Sequence, residues 1–179
     1  MKNLKWFARP DKFKNRLIMV ILGVLIQGFG LSWIIEVSFG TDPCSAFTQG
    51  VISHVPLSFG TAQLLINIIL FVVVFLADTS LIGFGTIANM VFIGYISDFC
   101  RFIYSKTLPA ELFQNTTTRI IILIPALIVF ILGAAMYMTA GLGTSPYDAI
   151  AFIVSERAEN IPFKFIRMSS VSYTHLRAH

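Results

Sequence analysis

Four long apolar stretches follow one another along the chain, and polar residues concentrate in the short segments between them. Each stretch is close to the roughly 20 predominantly apolar residues that a helix needs to cross about 30 Å of hydrocarbon. The pattern predicts spanning helices at residues 17–35, 59–76, 81–99 and 120–140. A fifth apolar stretch, at residues 163–170, predicts the start of one more span.

The first and the fourth predicted spans are each followed by a backbone break and a short helical segment. In the sequence Gly40-Thr41-Asp42-Pro43, the proline has no N–H group and keeps Asp42 out of the α region. The segments at residues 44–54 and 147–154 are too short to cross a membrane. Irregular backbone at membrane depth is tolerated only where it is buried in protein or lines a cavity. Both segments are therefore predicted to be discontinuous or re-entrant helices, the first of them capped by Thr41 or Asp42.

The two breaks belong to an internal repeat. A shift of 103 residues carries Gly30 onto Gly133 and Pro43 onto Pro146. Each copy would contain three spans, and because this number is odd, the second copy is predicted to be inverted in the membrane. The predicted fold is an all-α, polytopic transmembrane helical bundle with membrane repeats at residues 17–99 and 119–170, separated by a polar loop at residues 100–118.

The composition indicates that this bundle lies in a lipid bilayer. The chain is 56% hydrophobic and only 12% charged, whereas a soluble domain is about 25% charged. The net charge of +4 does not indicate nucleic-acid binding, because the basic residues cluster at the predicted membrane edges. Residues 1–16 and 155–167 together hold nine Lys or Arg, and the loop at residues 101–119 holds three. This bias predicts that the basic N-terminus at residues 1–16 is cytoplasmic.

The last nine residues, 171–179, have no relation to the apolar pattern that precedes them. Their sequence, VSYTHLRAH, resembles the translation of a transposon-based sequencing adaptor. The expectation is that this tail is not native and that the chain is truncated before its last span. His175 and His179 then carry no functional information.

Three motifs carry a resemblance to a known family. The sequences FGTDPCSAFTQGV, SFGTAQ and GFGTIANMVFIGYISDF resemble those of the YczE-like bacterial integral membrane proteins, which are distantly related to the YitT type. The matching residues are Gly40, Asp42, Pro43, Ser58, Phe59, Gly60, Thr61, Gly83, Gly85, Thr86, Asn89, Gly94 and Asp98. Cys44 departs from the pattern, because an aromatic residue is common there, and the expected last span with its second G-x-G-T element is missing. The resemblance implies a location in the bacterial inner membrane and implies no reaction.

The candidate site consists of polar residues at the two breaks and within the third span. Ionisable and polar groups at membrane depth face the interior of a bundle by default. The candidate substrate-binding residues are Thr41, Asp42, Pro43, Ser45, Asn89, Thr144, Ser145 and Asp148. Helix N-termini that point to a shared site near the middle of the bilayer would favour an anionic group, while the carboxylates would hold a cation or a proton. In the alternative interpretation, these residues only cap the half-helices and satisfy freed backbone groups.

Two functions remain open on the sequence. Inverted repeats and paired broken helices favour a permease for a small solute or ion. Short loops and few charge pairs favour a non-transporting accessory or scaffold protein that assists a membrane partner or forms a homo-oligomer. An enzyme is not expected, because Cys44 has only His54 as a possible base in the native chain. No cofactor or metal-binding motif is present in the sequence.

Overall fold

The computed structural model describes residues 10–157, and this part of the chain is all-α. The six helices are α1 (Phe13–Val37), α2 (Pro43–Ile52), α3 (Phe59–Ala77), α4 (Phe84–Thr107), α5 (Thr116–Thr139) and α6 (Pro146–Arg157). Four of them, α1, α3, α4 and α5, are long and apolar enough to cross a membrane. The predicted all-α transmembrane fold is therefore confirmed. The predicted fifth span at residues 163–170 and the tail at residues 171–179 lie outside the described residues.

The two short helices are present and begin at the prolines. The predicted starts were residues 44 and 147, and the helices begin at Pro43 and Pro146 instead. Proline is favoured at the first position of a helix, because its N–H group would have no partner there and its φ angle already suits the helix. The same residue that breaks the preceding segment thus begins the next helix.

The long helices extend further into the polar regions than hydropathy indicates. The third span was predicted to end at residue 99, but α4 continues to Thr107, and α5 begins at Thr116 rather than at residue 120. The loop predicted at residues 101–119 is correspondingly shorter and contains a 3-10 turn at Ala110–Phe113. Hydropathy marks where the hydrocarbon ends, whereas the helix continues as long as its polar side chains find partners. Arg101, for example, pairs with Glu36 at 2.7 Å.

Close glycine contacts hold α1 against α5, the most extensive helix pair in the described bundle. A Cβ atom on Gly30 would lie 2.6 Å from the backbone nitrogen of Phe130, and one on Gly133 would lie 2.4 Å from that of Gln27. The shift that carries Gly30 onto Gly133 also carries Gln27 onto Phe130. The two contacts are therefore reciprocal, as in an interface with a two-fold axis.

A second reciprocal pair joins the ends of the same two helices. Arg119 Nε donates a hydrogen bond to the carbonyl oxygen of Val37 at 2.6 Å, and Arg16 donates one to the carbonyl oxygen of Ala140 at 3.1 Å. The repeat shift carries Arg16 onto Arg119 and Val37 onto Ala140. Each arginine thus binds the C-terminal end of the long helix in the other repeat, next to the break that follows that helix.

The short helices extend toward opposite ends of the bundle. The C-terminal end of α2 leads through residues 53–58 into the N-terminal end of α3. Helix α6 instead packs near the C-terminal end of α3, where Ala149 forms a buried cluster with Val74 and Ile82. Because α3 runs the length of the bundle, α2 and α6 lie on opposite sides of its middle.

Candidate functional site

A cavity of about 190 Å³ lies where the two short helices begin. Its walls come from α1 to α6, and the lining residues are Gln27, Asp42, Pro43, Cys44, Ser45, Gln63, Asn67, Asn89, Ile93, Phe130, Ser145, Tyr147 and Asp148. Gln27 and Asn67 stand near the middle of the long helices α1 and α3. The cavity therefore lies at mid-length of the spanning helices rather than at either end.

The first break is organised by Asp42, which is the N-cap of α2. Its backbone is extended, and its Oδ2 atom accepts a hydrogen bond from the Ser45 N–H group at 3.1 Å. A side-chain oxygen at this position satisfies one of the N–H groups that have no partner within the helix. Thr41 instead donates its hydroxyl hydrogen to the carbonyl oxygen of Asp42 at 3.0 Å. Of the two predicted caps, Asp42 is the one that acts.

The second break uses the same two residue types in exchanged positions. Ser145 precedes the helix-starting Pro146, and its Oγ atom accepts a hydrogen bond from the Asp148 N–H group at 3.1 Å. The same hydroxyl donates to Asp148 Oδ2 at 3.0 Å. Asp42 and Ser145 are thus equivalent caps, and Ser45 and Asp148 are equivalent residues in the first turns. This exchange explains why the two aspartates stand three residues out of register in the sequence repeat.

Glycines with positive φ angles shape both approaches to the cavity. Gly40 has φ 109° and Gly143 has φ 104°, a region that side chains with a Cβ atom rarely adopt. The segment before α6 is also bound to the turn that precedes α4, because the Thr144 N–H group donates to the carbonyl oxygen of Leu81 at 3.1 Å. A Cβ atom on Gly143 would lie only 2.5 Å from the Gly83 nitrogen.

Amide side chains from the spanning helices complete the polar wall. Asn89 Nδ2 donates to Gln27 Oε1 at 3.2 Å within the buried interior. Gln63 is 5% exposed, and its Oε1 atom has no hydrogen-bond partner among the described residues. Gln27 and Gln63 were absent from the predicted site. A polar residue within an apolar span was the signal that singled out Asn89, and it would have found both glutamines.

The structure brings together most of the predicted site residues. Asp42, Pro43, Ser45, Asn89, Ser145 and Asp148 all line the cavity. Thr41 and Thr144 are not among its lining residues and hold the backbone of the two breaks instead. That these residues bind a substrate stays a prediction.

The cavity carries two carboxylates, and none of its described lining residues is Lys, Arg or His. Cys44 contributes a thiol that forms no disulfide. His54 lies at an exposed position beyond α2, where its ring contacts Ser53 and the carbonyl oxygen of Gly50. The arrangement offers acidic and amide groups to a small ligand, and the one described histidine does not line the cavity beside the thiol.

Comparison with known proteins places the chain in a family. A family model described as "Family of unknown function (DUF6198)" matches residues 14–173. The chain belongs to this family. It is also similar to the uncharacterized membrane protein YczE of Bacillus subtilis (strain 168), with 30% identity over 136 residues that cover 75% of this chain and 60% of that protein. The resemblance to YczE-like membrane proteins is confirmed, and the chain spans about 60% of the length of this relative. No solved structure matches the chain.

Proposed function

We propose that this membrane protein is a permease for a small solute or ion and that the cavity is its binding site near the middle of the bilayer. The observation that carries the proposal is the meeting of α2 and α6, whose capped N-terminal ends line one cavity while the helices extend to opposite ends of the bundle. Discontinuous helices that meet at mid-depth form the substrate sites of many secondary transporters.

The proposed transport mechanism uses an inverted repeat. Its support lies in the reciprocal contacts, in which Gly30 meets Phe130 as Gly133 meets Gln27. In transporters with inverted repeats, one half moves against the other and opens a fixed site to each side of the membrane in turn. The α1–α5 contact would be the axis of such a movement, because both halves contribute the same surface to it.

The proposed location is the bacterial inner membrane, with the N-terminus in the cytoplasm. The relative from Bacillus subtilis is named as a membrane protein, and the excess of basic residues lies in the flanks at residues 1–16 and 155–167. Two of the three basic residues at the other end are engaged within the bundle, since Arg101 pairs with Glu36 and Arg119 donates to Val37. These two arginines therefore count less against a cytoplasmic N-terminus than free basic residues in that loop would.

The permease function is tested by replacing each carboxylate of the cavity in turn. Asp42→Asn and Asp148→Asn are expected to reach the membrane but to lower uptake by about tenfold or more, because each removes a charged contact to the solute. Asparagine is as good an N-cap as aspartate, so Asp42→Asn keeps α2 capped and removes only the charge. Uptake is measured in cells and proteoliposomes with a broad panel of labelled solutes and ions.

A matched control is Asp78→Asn, which alters a turn residue outside the cavity whose carboxylate accepts from the Ser80 N–H group. This variant is expected to transport normally. Unchanged uptake in both cavity variants would contradict the proposal. A membrane partner that co-purifies and is lost when residues 108–115 are altered, without any transport, would support the accessory or scaffold function instead. We propose no enzymatic activity.

A further inference from the structure

We infer that the cavity binds one small monovalent cation, either an alkali metal ion or an ammonium group. The inference rests on the proposed midplane site and names the class of solute that it takes. It depends on four features of the site: the charges of its wall, the caps of its two helices, an unpaired buried oxygen and its size.

The charges of the wall favour a cation. Asp42 and Asp148 reach the cavity from two different helices, and no described lining residue carries a positive charge. Each carboxylate stands at a helix N-terminus, which acts as roughly half a positive charge. With both carboxylates ionised, two carboxylates and two N-termini leave a net charge of about −1. A single monovalent cation balances this charge, whereas an anion would add to it.

The helix caps weaken the case for an anion further. An anion at a helix N-terminus binds through the N–H groups of the first turn. In α2 the Ser45 N–H group already donates to Asp42, and in α6 the Asp148 N–H group already donates to Ser145. The chain thus supplies its own acceptors at both helix starts, and the cavity receives carboxylate and hydroxyl oxygens instead.

An unpaired oxygen gives independent support for a ligand. Gln63 lies in the cavity wall, is 5% exposed, and has an Oε1 atom without a hydrogen-bond partner among the described residues. Buried acceptors are almost always satisfied, so such an atom calls for a donor or a cation. Among the described residues, no group of three or more His, Cys, Asp or Glu side chains is arranged to hold a metal ion, so a transition metal is not the expected ligand. The polar groups that line the cavity are mainly carboxylates, hydroxyls and amides, and their oxygens suit hard cations and ammonium groups.

The size of the cavity limits the ligand. At about 30 Å³ per water molecule, a volume of about 190 Å³ holds about six waters. This space accommodates a partly hydrated alkali ion or a small alkylammonium ion. N-methyl-D-glucamine, a larger organic cation, is the reference cation, and we expect it to bind more weakly than these small cations.

The test is the thermal unfolding of the purified full chain in detergent. N-methyl-D-glucamine is replaced stepwise by Na⁺, K⁺, NH₄⁺ or methylammonium at constant ionic strength. A ligand that binds the folded state raises the unfolding temperature in a saturable manner, and we expect this rise with at least one of the four cations. Comparison of Na⁺ and K⁺ with NH₄⁺ and methylammonium shows whether the site binds an alkali metal ion or an ammonium group.

Variants locate the effect within the cavity. Asp42→Asn, Asp148→Asn and Gln63→Leu are expected to raise the half-saturating cation concentration by about tenfold or more. The matched control is Asp98→Asn, since this carboxylate lies outside the cavity lining and accepts from the Gly60 N–H group. Asp98→Asn is expected to keep the half-saturating concentration of the unsubstituted chain, even if its unfolding temperature is lower.

The inference is overturned if the unsubstituted chain shows no saturable cation effect, or if both aspartate variants keep that effect unchanged. It is also overturned if exchange of chloride for phosphate, at fixed cation, produces the saturable rise instead. Transport assays separate this failure from that of the permease proposal. Cation binding without any transport contradicts the permease and leaves the cation site standing. Uptake of an anion that needs no cation contradicts the cation site and leaves the permease standing.

Discussion

Replacing Gly133 by alanine is expected to destabilise the protein by about 1–3 kcal/mol. The added Cβ atom would lie 2.4 Å from the backbone nitrogen of Gln27, and a backbone atom cannot move aside as a side chain can. In lipid, close packing of small residues is a main source of helix association, so separating α1 from α5 weakens the bundle directly. Gly30→Ala should have a similar effect, because its Cβ atom would lie 2.6 Å from the Phe130 nitrogen.

The measurement is the apparent midpoint of thermal unfolding of the detergent-solubilised protein. Gly50→Ala is the matched control, because a Cβ atom there meets nothing within 4 Å. Alanine forms helices better than glycine by roughly 0.5–1 kcal/mol, so the control should be as stable as the unsubstituted chain or more so. Gly30, Gly50 and Gly133 all lie within helices, so the higher helix propensity of alanine stabilises each of the three variants equally. If Gly133→Ala also raised the midpoint, the close α1–α5 contact would be contradicted.

Removing either arginine of the reciprocal pair is expected to open the cavity toward one end only. Arg119 donates to the Val37 carbonyl at 2.6 Å, and its guanidinium lies 4.3 Å from the centre of the Phe39 ring. These contacts fasten the segment that leads into α2. A hydrogen bond to a charged group contributes about 1.5–3 kcal/mol. Arg119→Ala should therefore raise the population of molecules whose cavity is open at that end by roughly tenfold or more. Arg16→Ala should do the same at the opposite end, where Arg16 holds Ala140.

The readout is the rate at which a membrane-impermeant maleimide labels Cys44, which lines the cavity and is 9% exposed. The variants are made in a Cys100→Ser background, since Cys100 is the other cysteine of the chain. Labelling is compared in vesicles of opposite orientation. Each arginine variant should accelerate labelling from its own side of the membrane.

Lys106→Ala controls for the loss of charge at the Arg119 end. Lys106 stands in the last turn of α4, where its ammonium group lies over the Phe102 ring and not against the break. This variant should leave the labelling rate unchanged. If Lys106→Ala accelerated labelling as much as Arg119→Ala, or if Arg119→Ala acted equally from both sides, the arginine contacts would not govern access to the cavity.

The boundaries of the breaks were more predictable than the ends of the spans. Pro43 and Pro146 act on their immediate neighbours, because a missing N–H group and a fixed φ angle impose the same local backbone in any tertiary context. The ends of α4 and α5 depend on partners from elsewhere. Arg101 remains helical where it meets Glu36 of α1, and this contact joins residues far apart in the chain.

Only part of the candidate site could be predicted from the sequence, for a similar reason. Asp42, Ser45, Ser145 and Asp148 flank the two prolines, so their place at the helix starts follows from local capping rules. Gln63 gave only the weak signal of one amide in an apolar span. That its oxygen lacks a partner depends on which groups of α2, α4 and α6 surround it. Whether a buried side-chain oxygen finds a hydrogen-bond donor is decided by the packing of the bundle.

The sequence by itself determined that the chain spans a membrane, that two of its spans end in short broken helices, and that glycine and proline recur with one constant shift. These properties follow from the length of apolar stretches and from local backbone restrictions. Only the tertiary structure decided that α2 and α6 begin at one cavity and that Gly30 and Gly133, like Arg16 and Arg119, make reciprocal contacts. The reason is that every spanning helix here is apolar on most of its surface, so hydropathy does not select which faces meet. That choice depends on close backbone approach at the glycines and on the few polar groups that must find partners away from lipid.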